Sequence, residues 1–245
     1  MDISNYRQIW DCHTHTIYSG DGKGTIEQNV CAAVKQGLTK IAITDHGFNH
    51  MAYGIKRERV KEMRAEIERL KKIYPIEILL GIEANLISYD GDIDLTQEEV
   101  KWFDIILLGI HKSTKPKKFW GYFNFTLRNL MWNTKRHSQK ITNSYILALK
   151  KYPINILVHL HNIVKVDAIK IAAEAIKKGT LIELNNKHML SSEQEINQMA
   201  AMGAKFIIDS DAHRPENVGR CPNVTEFLKS HNVPLESIVN LQKLD

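Results

Sequence analysis

Histidines and carboxylates fall in this chain in short settings that suit divalent-metal chemistry. His13 and His15 stand two apart in DCHTH, and His46 follows Asp45 in ITDHG. Glu83 closes LLGIE, His111 closes LLGIH, His159 closes ILVH, and Asp211 and His213 stand two apart in IIDSDAH. On an extended chain, residues i and i+2 point to the same side, so H-x-H and D-x-H can each aim two donors at one ion. The donors are imidazole and carboxylate without thiolate, which suits Zn, Mn or Fe rather than a thiolate structural zinc site. Asp21, in the glycine-rich SGDGKG, is a further candidate. Each motif alone is commonplace. Asp-His-Gly is good turn material, and a single histidine or carboxylate can be a satisfied core residue.

What distinguishes the set is the elements that must position it. Seven short apolar runs read as strands: Ile9–Cys12, Lys40–Thr44, Ile76–Ile82, Asp104–Ile110, Ile154–Val158, Thr180–Leu184 and Lys205–Ile208. Most are continuous rather than alternating, as expected of parallel strands covered on both faces. Helical patterns lie between them. Thr25 and Gln28 have capping-box spacing, and Gly37 would stop the helix that begins there. Val60, Met63, Ile67 and Leu70 form one apolar stripe, and Lys165–Lys178 and Ser191–Met202 each end before a glycine. Strand–helix alternation repeated about seven times points to an α/β barrel, with a doubly wound open sheet as competitor. The donors sit at the carboxyl ends of the strands, where barrels assemble their active sites. Their joint placement there favours a site for more than one ion.

Composition narrows the class. The chain has 245 residues, 43% hydrophobic and 25% charged, with no internal repeat or low-complexity stretch, which excludes a disordered, collagenous or coiled-coil chain and suits one domain over residues 1–245. The apolar runs are far shorter than the roughly 18–20 residues of a membrane span. MDISNYRQIW lacks the basic-then-apolar pattern of a secretory signal, and Cys12, Cys31 and Cys221 form no disulfide framework or C-x-x-C. A reduced, cytoplasmic protein without membrane partners is expected. The net charge of +5 is unevenly spread: between Asp104 and Asp167 there are eleven Lys or Arg and no acid, while the remainder carries 22 basic against 28 acidic residues.

Taken together, DCHTHTIYS, AITDHG, GIEAN, GIH, VHLHN and SDAH, in this order, resemble the motifs of the polymerase and histidinol phosphatase (PHP) family over roughly residues 10–215. The resemblance implies a distorted seven-stranded (β/α)7 barrel, similar to a TIM barrel, with a trinuclear site at which two to three divalent ions bind, and phosphoester hydrolysis. By the same resemblance, His13 and His15 would hold one ion with Glu83 and Asp211, and Glu83 would bridge two ions. His46, His111, His159 and His213 would complete the sites, with Asp21 at a position where relatives carry histidine or aspartate. Asp45 would orient its neighbour. In VHLHN, Leu160 and His161 stand where many relatives have Pro-Gly, and His159, which ends the strand, is taken as the ligand. His50, His137, His188 and His231 are read as surface or supporting residues, and His161 as a supporting or substrate-contacting one.

Clustered divalent ions neutralise phosphoryl oxygens and lower the pKa of bound water from near 16 to about 7. The expected activity is therefore hydrolysis of a small phosphomonoester by a metal-bound hydroxide, with no side-chain nucleophile. The stretch after His111, at about residues 112–145, reads as a basic, aromatic insertion carrying Phe119, Trp120, Tyr122, Phe123, Phe125 and Trp132. It could overhang the site, with Lys112, Arg136 and Arg214 as phosphate contacts, or simply pack its aromatics on the barrel. Histidinol phosphate is one substrate alternative. Single-stranded nucleic acid is another, since lysines follow a backbone and bases stack on aromatics. A metal-free binding module is the alternative outside enzymes. An amidohydrolase-type centre would call for a bridging lysine at a strand end, and none is evident. Oligomeric state is not legible.

Overall fold

The computed structural model describes residues 3–116, 134–189 and 191–244. Among the described residues, nine strands run in chain order: β1 Tyr6–Gln8, β2 Trp10–Asp11, β3 Lys40–Ile43, β4 Glu77–Asn85, β5 Ile105–Gly109, β6 Ile156–Leu157, β7 Leu181–Asn185, β8 Phe206–Asp209 and β9 Leu241–Lys243. Strands β2 to β8 form one parallel sheet in sequential order, curled into a nearly closed barrel. The helices are α1 Ile26–Lys35, α2 Val60–Leu70, α3 Lys135–Lys151, α4 Ala168–Lys178, α5 Glu193–Ala201 and α6 Pro222–Ser230.

Each of the seven expected strands is present, as are the expected helices. Thr25 and Gln28 cap α1 reciprocally, and Val60, Met63, Ile67 and Leu70 all face inward from α2. Two helices start later than their apolar patterns suggest, because side-chain caps set the boundary. Asp167 accepts from the Lys170 N–H to begin α4, and Ser192 forms a capping box with Glu195 to begin α5. Strand–helix alternation lapses between β4 and β5, where the connection holds only a short 3-10 turn, Glu99–Trp102. Among the described residues, no helix is long and apolar enough to cross a membrane.

The strands divide the core into two layers. Ile106 and Leu108 of β5, Ile78, Leu80 and Ile82 of β4, and Phe206 and Ile208 of β8 pack outward under the helices. Ile105, Leu107, Ile156, Val158, Ile207 and Ala42 fill the barrel. Along the inward column the chemistry changes toward the carboxyl end. Leu79 and Gly81 give way to Glu83, Leu181 to Glu183 and Asn185, and Ile207 to Asp209 and Asp211. Gly81 has no room for a side chain, since a Cβ there would lie 2.6 Å from the methyls of both Ile105 and Thr44. An apolar plug thus supports a polar floor.

Strands β2 and β8 do not pair directly along their length. Past their ends, the His15 N–H donates to Ala212 O at 2.8 Å and the Ala212 N–H to His13 O at 3.2 Å. Below, Asn240 fills the seam. Its Nδ2 donates to Ile208 O at 2.7 Å and Trp10 O at 2.9 Å, and its Oδ1 accepts from the Ile208 N–H at 2.9 Å. The neighbouring β1 and β9 pair antiparallel as a separate two-stranded sheet.

Candidate metal centre

The strand-end donors converge on Glu83, which lies on the inward face of β4 and is fully buried. Its Oε1 lies 2.7 Å from His159 Nε2, 3.0 Å from His111 Nε2 and 3.4 Å from His13 Nε2. Its Oε2 lies 2.7 Å from His46 Nδ1 and 3.7 Å from His15 Nε2. Asp211 Oδ1 approaches His15 Nε2 and His213 Nδ1, both at 3.4 Å, and His13 Nε2 at 3.8 Å. Asp21 Oδ2 joins His46 Nε2 at 3.1 Å to His213 Nε2 at 3.2 Å. All nine donors read from the sequence, His13, His15, Asp21, His46, Glu83, His111, His159, Asp211 and His213, therefore meet in one cluster.

Local backbone aims several of them. His159 and Asp211 adopt positive φ, 34° and 53°, a region that costs a non-glycine residue energy and recurs at functional sites. Gly109 clears space for the His159 ring, because a Cβ there would lie 2.7 Å from its Cε1. The far side of three rings is also occupied. His13 Nδ1 donates to Glu183 Oε1 at 2.6 Å, and His111 Nδ1 to Asn85 Oδ1 at 2.7 Å, while His15 Nδ1 lies 3.5 Å from Ser19 Oγ. Asn85 is held in turn by Asp94, which accepts from its N–H at 2.7 Å and from its Nδ2 at 2.6 Å. With Nδ1 committed, His13 and His111 present Nε2 to the cluster, the arrangement by which outer partners set a ligand's tautomer. Asp45 accepts from the N–H and hydroxyl of Thr16, so it braces the loop after β2.

The fit to metal ions can be tested on the donors themselves. His13 Nε2, His15 Nε2, His46 Nδ1, Glu83 Oε2 and Asp21 Oδ1 are buried without an aligned hydrogen bond, although His46 Nδ1 and Glu83 Oε2 approach to 2.7 Å. Unpaired buried polar atoms are costly and uncommon, and these face one another. Three overlapping groups have donor atoms within 4.8 Å of each other: His13, His15 and Glu83; His46, Glu83 and His111; and His15, His46 and His213. The residues fit divalent ions.

The charges are strongly coupled. Burial would push the Glu83 carboxyl up, but His111, His13 and His46 hold it well below the usual carboxylate range. Burial would likewise raise Asp211, and His13, His15 and Lys187 keep it low. Burial lowers His15, reinforced by His46 and His213. For His46 burial acts downward too, yet Glu83 and Asp21 lift it to about 10.

The three expected phosphate contacts form no ion pair with the cluster carboxylates among the described residues. Lys112 and Arg136 are exposed, and Arg214 lies 3.7 Å from Glu216. The six aromatics from Phe119 to Trp132 lie outside the described residues. His161 turns from the cluster toward Glu195, with 3.5 Å between Nε2 and Oε1, and its Nδ1 accepts from the Val166 N–H.

Glu183 and Lys187 at the site are not singled out by the sequence, and His50 and His188 stand there as the supporting residues expected. Glu183 accepts from His13 Nδ1 and also from the His159 N–H at 2.7 Å. Its signal was a carboxylate at an inward position of the apolar run LIELN. Lys187, two residues beyond β7, reaches Asp211 and His213. His50 stacks on His46 at 4.7 Å between ring centroids, and Tyr53 stacks on His50 at 5.2 Å. His188 lies 5.8 Å from the His159 ring.

Comparison with known proteins agrees with this geometry. The PHP domain model matches residues 11–187. A probable phosphatase of Caldanaerobacter subterraneus subsp. tengcongensis is 29% identical, with 96% of this chain and 87% of that protein aligned. One from Thermoanaerobacter sp. strain X514 is 28% identical, over 95% and 90%. Among solved structures, histidinol phosphate phosphatase from Lactococcus lactis, complexed with zinc, L-histidinol and phosphate, superposes with a TM-score of 0.58 at 14% identity over 92% of this chain and 95% of that one. A chain of archaeal ribonuclease P with mature tRNA reaches 0.51 at 12% identity, over 92% and 84%, so likeness at this level shows the fold alone. With the family model spanning most of the chain and the strand-end donors gathered around Glu83, this protein belongs to the PHP domain family.

Proposed function

We propose that the protein is a metal-dependent phosphatase that hydrolyses a small phosphomonoester at the Glu83 cluster. The observation that carries this reading is the set of buried, mutually facing donors on His13, His15, His46 and Glu83 that make no aligned hydrogen bond. Three overlapping donor groups support two to three divalent ions, of Zn, Mn or Fe type, held by His13, His15, Asp21, His46, Glu83, His111, His159, Asp211 and His213. When bound, such ions neutralise phosphoryl oxygens and acidify a water so that it can attack phosphorus near neutral pH.

The chain supplies the framework for that chemistry. Glu83 shares its two oxygens between the His159, His111 and His13 side and the His46 and His15 side, which suits a bridging carboxylate. Glu183 and Asn85 fix the rings of His13 and His111, so the donors are oriented before anything binds. The apolar plug of Leu107, Ile156, Val158 and Ile207 keeps water from beneath the cluster and strengthens its electrostatics. The names of the aligned relatives favour a phosphomonoester over nucleic acid.

The test is to strip the protein with a chelator, restore Mn or Zn, and assay an aryl phosphate. Hydrolysis that needs the ion and is lost in Glu83→Ala supports the reading. Absence of metal-stimulated hydrolysis in folded, reconstituted protein overturns it.

A further inference from the structure

The turn after β7 delivers a cation to the cluster. Asn185 Oδ1 accepts from the N–H groups of Lys187 at 2.8 Å and His188 at 2.9 Å, closing an Asx turn. Asn186 is fastened to the first turn of α6, where the Asn223 N–H donates to its Oδ1 at 2.9 Å and Asn223 Nδ2 to its carbonyl at 2.8 Å. With its base held from both sides, the Lys187 side chain reaches the donor set. Nζ lies 2.7 Å from His213 Nδ1 and 3.3 Å from Asp211 Oδ1. Among the described residues, the ion pairs of the other lysines and arginines all go to carboxylates outside the cluster.

Each partner also has another neighbour. His213 Nδ1 has Asp211 O at 3.0 Å as a second partner, and Asp211 Oδ1 also faces His15 Nε2 at 3.4 Å. The side chain is 38% exposed, whereas that of Asp211 is 8% exposed, so the ammonium stands at the mouth and the carboxylate beneath it. A lysine is a compact charge on a flexible four-carbon stem, and it binds phosphate as a point charge. Building on the phosphatase reading above, we propose that Lys187 swings from Asp211 and His213 to the phosphoryl oxygens of the substrate. There its charge selects dianionic phosphomonoesters over monoanionic diesters.

The experiment uses full-length protein reconstituted with Mn, as wild type, Lys187→Met and Lys187→Arg. Metal content is measured by elemental analysis, inorganic phosphate binding by calorimetry, and kcat/KM with 4-nitrophenyl phosphate and bis(4-nitrophenyl) phosphate. The expected result is a full metal complement in both variants, with phosphate affinity in Lys187→Met weakened ten-fold or more and partly recovered in Lys187→Arg. The monoester kcat/KM should fall at least ten-fold further than that of the diester. Unchanged phosphate affinity in metal-replete Lys187→Met overturns the proposal. So does a variant that loses metal while its loaded sites bind phosphate as the wild type does, because Lys187 would then be a support for the ions. If wild-type protein holds ions but neither binds phosphate nor hydrolyses either ester, the phosphatase reading itself fails.

Discussion

His13 donates a hydrogen bond from Nδ1 to Glu183 Oε1 at 2.6 Å, while its Nε2 faces Glu83 at 3.4 Å and Asp211 at 3.8 Å. Two buried carboxylates on opposite sides of one ring thus divide the labour. Glu183 sets the tautomer, and Glu83 stands on the donor side. Removing such an outer partner typically costs roughly 10–100-fold in metal affinity. Glu183→Gln should therefore stay folded and bind Mn or Zn about that much more weakly by calorimetric titration. Wild-type affinity in this variant would show that the ring needs no such anchor.

Gly109 is expected to be intolerant of the smallest addition. A Cβ would lie 2.7 Å from His159 Cε1 and 2.9 Å from Val158 Cγ2, both in the buried interior. The imidazole must then turn away from Glu83, which it meets at 2.7 Å. Gly109→Ala should retain its circular dichroism spectrum yet lose bound metal and hydrolysis together. A full metal complement would contradict the steric account.

Asn240 is one of the side chains that bridge the barrel seam, beside Gln8 and Asp11. Asn240 is fully buried and satisfies the Ile208 N–H together with the carbonyls of Trp10 and Ile208. Asn240→Ala leaves the buried Ile208 N–H unpaired, while Gln8 Nε2 still reaches the Trp10 and Ile208 carbonyls, and should lower stability by about 1–3 kcal/mol in urea unfolding. A loss below about 0.5 kcal/mol would mean that the seam closes by other means.

Glu99 ties the loop beside the site to the turn before β5, accepting from Arg57 Nε at 2.5 Å and from the Thr96 N–H at 2.8 Å. Arg57 also lies 4.2 Å over the Phe48 ring. Burial would raise the Glu99 carboxyl, but Arg57 and Thr96 hold it below its ordinary 4.5. A folded-state pKa below the unfolded one stabilises above the unfolded value, and the gain is lost as pH falls through the folded value. Glu99→Gln should thus cost about 1 kcal/mol at pH 7, a modest figure because Arg57 is half exposed, and less as pH drops below 4.5. Urea unfolding at several pH values decides it, and a difference that ignores pH would refute the ion-pair explanation.

The order of the strands and the donors at their ends were legible because both signals are local. A parallel strand covered on two faces reads as an unbroken apolar run, and a histidine or acid closing it is conspicuous. Glu183 and Lys187 were harder to see. Glu183 is one acid inside LIELN, and its role depends on which face of β7 points inward, which only the closed barrel decides. Lys187 lies in an asparagine-rich turn that reads as an ordinary loop until Asn185 and Asn223 are seen to clamp it. The β1–β9 pair is short and exposed, with residues such as Arg7, Gln242 and Lys243, and so carries no hydrophobic pattern to find. Asn240 was silent because its meaning is wholly tertiary.

The central claim is that the donors around Glu83 hold ions. Its most direct test is elemental analysis of purified protein beside His13→Ala and Glu83→Ala, each checked for folding. The account predicts two to three divalent ions per chain in the wild type and a marked loss in both variants. Wild-type protein that takes up no ion after exposure to Zn or Mn, or a Glu83→Ala variant that keeps its full complement, would contradict it.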